Sequence, residues 1–255
     1  MPPYLYKIYM LYSDKIVWLS SYPKSGNTWV RAFLSDYLFS KNKDFEFSLL
    51  HNIEKFPKKR LFPDCIVEPE NSGLRSILSG YENFLDEQKD LKGIYKTHNA
   101  YNEFFTNKNL TAGFVYITRN VKDIIISFAY HYNCSIDDAI DLAIPNRKKH
   151  IESWKRFTDV PSLYLNYEDI VKDTKKEYTK LLHFLHIKID KKKLDKSIKN
   201  TSFSNLKKLE IDKGFFESAD YKTEKERPFF RIGKVKQWEN VFNNNQKERI
   251  NSLLY

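Results

Sequence analysis

The sequence predicts an α/β domain: an open, mainly parallel sheet flanked by helices on both faces. Two observations lead there. Ile16-Val-Trp-Leu19 is a continuous apolar run, β-branched at its start and followed at once by turn chemistry, as in a strand buried on both sides. Further short runs at 93–98, 113–118 and 162–167 alternate with helix-period segments, the order that builds a parallel sheet.

Taken in order, the first strand leads into Tyr22-Pro-Lys-Ser-Gly-Asn-Thr28, and helical spacing resumes at Trp29, Val30, Phe33, Leu34, Tyr37 and Leu38. A loop of this kind leaves backbone N–H groups at a helix N-terminus, where the dipole favours an anion. Lys24 adds a full charge, and Ser25 and Thr28 add donors; the plainer alternative is that they only cap the helix. The device is P-loop-like, yet it departs from the Walker pattern, because Lys24 precedes Gly26 and Asn27 follows it. A triphosphate with magnesium is therefore disfavoured.

Residues 41–90 are irregular and read as an excursion over the sheet edge, where substrate-shaping loops lie. The strand at 93–98 delivers Lys96, Thr97 and His98 to the C-terminal edge, where open parallel sheets bind ligands. His98 there reads either as a base or as a surface cap. The strand at 113–118 delivers Arg119, whose planar fork suits phosphate or a carboxylate partner. Asn120 then caps a helix carrying Ser127 two turns in. Residues 136–157 read as one or two helices interrupted at Pro145. A fourth strand at 162–167 is followed by a helix with Glu168 and Asp169 in its first turn, reaching about Leu185. A basic helical stretch runs to Asn200, and Thr201-Ser-Phe203 opens a short helix. Residues 209–230, charged and aromatic without a period, read as a mobile lid over the site. Arg231-Ile-Gly233 and Trp238 precede a last helix near Asn243 to Leu254.

Composition narrows the classes. The chain has 255 residues, and 43 Lys+Arg against 33 Asp+Glu give +10, which favours anionic ligands. Much of that excess lies in solvated runs such as Lys191-Lys192-Lys193 and no nucleic-acid motif accompanies it, so no nucleic-acid partner is expected. Hydrophobic content of 41% argues against global disorder. Cys65 and Cys134 stand apart with no Cys/His cluster at zinc spacing, so neither a disulfide framework nor a structural metal is implied and a reducing, cytoplasmic setting fits. The aromatic start, Tyr4 to Tyr12, is too short for a membrane span and lacks a signal-peptide pattern. Without repeats or linkers, residues 1–255 read as a single domain.

Four separated segments, Tyr22-Pro-Lys-Ser-Gly-Asn-Thr-Trp29, Lys96-Thr-His98, Arg119-Asn-Val-Lys-Asp-Ile-Ile-Ile-Ser127 and Arg231-Ile-Gly233, occur in the order seen in cytosolic-type sulfotransferases. Tyr164-Leu-Asn-Tyr-Glu-Asp169 and Thr201-Ser-Phe203 resemble the same family, and the likeness runs from about 16 to 248. It implies a sulfuryl donor, 3′-phosphoadenosine 5′-phosphosulfate (PAPS), no metal, and a small-molecule or glycan acceptor presenting a hydroxyl or amine. It implies a 5′-phosphosulfate loop at Lys24, Ser25, Gly26, Asn27 and Thr28. Trp29 and Phe203 would contact adenine, and Tyr167 and Thr201 would also touch the nucleotide. Arg119, Ser127, Arg231 and Gly233 would hold the 3′-phosphate. His98 would be the catalytic base, with Lys24 and Ser127 beside it. Several positions depart from the family. Ile232 stands where Lys is usual, Lys236-Gln237-Trp238 replaces Gly-Asp-Trp, and of the C-terminal dimer motif only Glu248 remains. Dimerisation by that route is therefore not implied. From the residues themselves, a nucleotide kinase or NTPase and a non-catalytic anion-binding module stay open.

Overall fold

Ile16–Ser21 (β1) is buried along its whole length because its side chains alternate between two covered faces. Val17 and Leu19 pack against Val30, Phe33 and Leu34 of Asn27–Phe39 (α1). Ile16 and Trp18 face the other way, toward Phe114, Tyr116, Trp154 and Phe157. A computed structural model describes residues 15–41, 43–56, 92–103, 106–218 and 227–254. Residues 57–90 of the expected excursion, Cys65 among them, lie outside them.

Four strands are described, in the order β2-β1-β3-β4 and all parallel: Gly93–Thr97 (β2), Thr111–Thr118 (β3) and Ser162–Asn166 (β4) join β1. Parallel pairing puts every C-terminal strand end on one edge, so the segments beginning at Tyr22, His98, Arg119 and Tyr167 converge there. Val121–Tyr132 (α2) follows β3, capped by Asn120, whose side chain accepts from Lys122 N–H. Ile136–Lys155 (α3) starts with a capping box between Ser135 and Asp138. Phe33 stacks on Tyr178 with ring centroids 3.9 Å apart, joining α1 to Thr174–Phe184 (α5). Removing either ring should cost roughly 3–5 kcal/mol.

Three local expectations are corrected. α3 runs unbroken through Pro145. Pro145 lies on the exposed side, where water can serve the carbonyl that its missing N–H leaves, while Ala139, Ile140, Ala143 and Ile144 anchor the opposite face. The helix expected from Glu168 to Leu185 is two, Tyr167–Lys172 (α4) and α5, because Asp173 at φ −147° ends the first and accepts from Lys176 N–H to begin the second. Lys191–Asn200 (α6) and Phe203–Lys213 (α7) follow.

The expectation that 209–230 lacks regular structure is corrected in its described parts. Residues 209–213 complete α7, held by Leu206 and Leu209 against Phe45 and Phe47. Phe215 is buried between Phe47, Phe229 and Phe230, and a short turn, Phe216–Ser218, carries Glu217 inward. Residues 219–226 lie outside the described residues. Gln237–Asn240 and Asn244–Leu254 (α8) complete the described chain. No described helix is long and apolar enough to cross a membrane.

Candidate active site

The loop after β1 turns through two left-handed residues, Lys24 at φ 68° and Gly26 at φ 98°. α1 begins on Gly26, which has no side chain to cap it; Trp29 and Val30 donate their N–H groups to its carbonyl. Tyr167 lies so close that a Cβ on Gly26 would sit 2.5 Å from Tyr167 Cδ2. Only glycine meets both demands. Asn27 Nδ2 donates to Leu19 O at 3.0 Å and to Ser21 Oγ at 3.2 Å, which ties the loop back onto β1.

Lys24 places its ammonium 4.5 Å from the Phe229 ring centroid. Burial pulls its pKa down to about 7, with Lys96, Arg119 and Arg231 adding repulsion and Glu217 opposing. Arg119 is buried and donates to Lys24 O at 3.2 Å and to Lys234 O at 3.3 Å. Its guanidinium lies 4.2 Å from the Tyr167 ring centroid, and its Nε has no partner among the described residues. Arg231 lies over the Tyr130 ring and donates to Gln237 Oε1 at 2.9 Å. Asp123 organises the same stretch by accepting from Lys236 N and Gln237 N, each at 2.8 Å.

His98 follows the last residue of β2. Its Nδ1–H donates to Ser21 O at 2.8 Å, a tautomer assigned from that bond, which leaves Nε2 as the basic nitrogen. Behind it, Tyr116 O–H donates to His150 Nδ1 at 2.9 Å and His150 Nε2–H donates to His98 O at 3.1 Å. Burial, with nearby Lys96 next, holds the His98 pKa well below the ordinary imidazole value. The ring is therefore neutral at pH 7.

These groups surround one cavity of about 250 Å3. Lys24, Gly26, Asn27, Thr28, Trp29, His98, Arg119, Ser127, Tyr167, Phe203, Arg231 and Gly233 all line it. Two expected residues do not. Ser25 is buried, and Thr201, capping α6, donates its hydroxyl to Ser197 O at 2.7 Å, offering only its carbonyl, which accepts from Trp29 Nε1 at 2.8 Å. Lys55, His131, Glu217, Phe229, Phe230 and Gln237 also line the cavity and were not anticipated. His131 could have been found, four residues beyond Ser127 on the same helix face. Glu217 and Lys55 carry no local signal.

A sulfotransferase domain family matches residues 14–254. Human sulfotransferase 1E1 is 28% identical, the match spanning 93% of this chain and 85% of that protein. Flavonol 3-sulfotransferase of Flaveria bidentis is 29% identical over 93% of this chain and 80% of its own length. Mouse sulfotransferase SULT7A1, solved in complex with PAP, shares the fold at a TM-score of 0.62 and 21% identity, covering 94% of this chain and 83% of that one. Retinol dehydratase in complex with retinol and PAP gives 0.64 at 18% identity, over 99% and 85%.

Proposed function

The chain belongs to the sulfotransferase family, and on that premise we propose that it moves a sulfuryl group from PAPS to a hydroxyl or amine of a small-molecule or glycan acceptor. One observation carries the reading. A single cavity holds two cationic positions, Lys24 before α1 and Arg119 with Arg231, together with a neutral imidazole. A donor with a phosphosulfate at one end and a 3′-phosphate at the other needs both. The buried Nε of Arg119, without a partner among the described residues, is a donor suited to an oxyanion, and Trp29 and Phe203 supply aromatic walls for a purine.

His98 Nε2 takes the proton of the acceptor as its oxygen or nitrogen forms the bond to sulfur. The sulfur–oxygen bond to the 5′-phosphate breaks, and its electron pair stays on that phosphate. Lys24 and the loop amides stabilise the charge that develops there. Lys24, poised near 7 when free, gains its proton firmly when an anion docks beside it. Ser127, on the cavity-facing side of α2, adds a hydroxyl donor.

Thermal denaturation tests the reading. Adenosine 3′,5′-bisphosphate (PAP) at 100 times its dissociation constant should stabilise the fold by about 2.7 kcal/mol, and ATP with magnesium should do much less. The reverse ranking would make the site that of a nucleotide kinase or NTPase.

A further inference from the structure

Arg31, Glu217 and Lys96 form a buried network at the cavity, with Lys96 and Glu217 on its lining and Arg31 behind them. Arg31 of α1 pairs with Glu217 and donates to Leu50 O at 3.0 Å. Lys96 Nζ donates to Glu217 Oε2 at 3.1 Å. The side chains of Arg31 and Lys96 are 3% and 6% exposed, and that of Glu217 18%. Two buried cations with Lys24 close by would be costly without an anion. Glu217 is the only carboxylate among the described residues lining this cavity, and it reaches Lys96 from 121 residues away in sequence.

Resting on the sulfuryl-transfer reading above, we infer that Glu217 is a positioning residue: clamped by Arg31, its carboxylate fixes the flexible Lys96 chain on the side of β2 that carries His98, so that its ammonium faces the transferred group. The geometry supports a fixed point rather than a loose pair. Arg31 is itself anchored on Leu50 O, and residues 54–56 brace β2 from outside through Phe56 N to Lys96 O at 2.8 Å and Lys96 N to Glu54 O at 2.9 Å. Lys96 and His98 are two residues apart along an extended segment and share a side.

The electrostatics agree. The charged or titratable groups facing Lys96 are Lys24 from the loop, Arg31 from α1, Lys55 beyond the turn at Phe47–Asn52, His98 at its own strand end, His131 from α2, and Glu217. All but Glu217 disfavour a charged Lys96 or are neutral. Burial already brings its pKa to about 8, with Glu217 opposing the fall. Lys96 serves as a cation below its pKa and is lost as one above it, so removing Glu217 should move that loss to lower pH.

NMR titration of isotope-labelled lysine side chains, with Lys96 assigned through Lys96→Arg, reads this directly in wild type, Glu217→Gln and Glu217→Asp. PAP calorimetry on the same proteins gives a second reading. The Lys96 midpoint, about 8 in wild type, should fall by roughly 1–3 units in Glu217→Gln and recover most of that in Glu217→Asp. The loss of PAP affinity in Glu217→Gln should grow from slight near pH 6 to about tenfold near pH 8. An unchanged Lys96 midpoint, or an affinity loss equal at every pH, overturns the inference by leaving Glu217 a purely structural tie. Should Glu217→Gln fail to fold, Glu217→Asp decides: Lys96 must still titrate near its wild-type midpoint, and an ordinary midpoint near 10.4 in either protein overturns the inference. Failure of PAP to bind wild type at any pH would sink the functional reading instead, while the Lys96 titration stands apart from it.

Discussion

Arg119 donates to the backbone carbonyl of Lys24 at 3.2 Å, so the cation of one proposed anion position braces the loop that carries the cation of the other. The two positions are thereby mechanically joined. Arg119→Ala should weaken PAP by roughly 10- to 100-fold, the worth of a charged hydrogen bond, and adenosine 5′-phosphate by less. Calorimetry on both ligands checks it. Equal losses would mean that Arg119 acts only through the loop.

Lys24→Ala should leave the fold intact and lower turnover by ~10²–10³-fold, as when one oxyanion donor is lost. Because the free Lys24 titrates near 7 and serves as a cation, donor kcat/KM should decline as pH rises through neutrality. In the variant that limb should vanish. Steady-state kinetics across pH measures both; near-wild-type turnover at saturating donor would remove Lys24 from the mechanism.

His98→Ala should cut transfer by roughly 10²–10⁴-fold while PAP still binds. In the proposed mechanism the neutral ring is the base, and burial holds its pKa well below the ordinary value. The acid limb of the pH profile should therefore lie below the usual imidazole range. A wild-type limb centred near 6.5 would contradict the buried environment.

How legible the site was depends on how local its parts are. Lys24, Gly26, Asn27, Thr28 and Trp29 fall within one short stretch, 24–29, and the apolar run before it with the helix period after it announces the turn. The strand ends carrying His98 and Arg119 were equally plain, because a short apolar run has few alternatives. Glu217 and Lys55 reach the cavity only through tertiary packing, across 121 residues in the case of Glu217 to Lys96, and nothing beside them in sequence marks it. Thr201 was placed by resemblance, yet its hydroxyl is taken by Ser197 O. Residues 209–213 looked aperiodic because only Leu206 and Leu209, three apart, face the aromatic cluster of Phe45 and Phe47. Pro145 misled because a breaker on an exposed helix face costs less than one in a core.

Gly26→Ala should destabilise the fold by about 1–3 kcal/mol, the range for a non-glycine residue forced into a sparsely populated backbone region, and weaken PAP as well. The added methyl would press on Tyr167, 2.5 Å away, and Tyr167 carries the Arg119 guanidinium. Pairing the change with Tyr167→Leu gives a double-mutant cycle. If the two losses simply add, Tyr167 does not transmit the strain.

The last expectation concerns acid stability. His150 is buried between Tyr116 O–H and His98 O, and burial lowers its pKa to about 4. His131 is likewise lowered to about 4, chiefly by burial and then by Lys24 and Lys96. His98 is lowered too, again chiefly by burial. A histidine near 6.5 in the unfolded chain and depressed in the fold contributes stability that is fully present above the unfolded value. That contribution is lost as pH falls toward the folded one. Between about pH 6.5 and pH 4 the unfolded chain thus binds protons that the native one refuses. Each such proton steepens the fall of unfolding free energy by about 1.4 kcal/mol per pH unit. Glu217, held near 2 by Lys96 and Arg31 against the push of burial, adds its own loss only below the ordinary carboxylate range near 4.5. Urea unfolding at pH 7, 6 and 5 should therefore show a slope approaching that of two to three protons. His150→Gln keeps a donor for His98 O and removes one proton from the difference, so its slope should be shallower by about one proton although its stability at pH 7 is lower. A slope that is flat in wild type, or unchanged in the variant, would mean that His150 is already charged in the fold and that the chain from Tyr116 does not hold His98 as described.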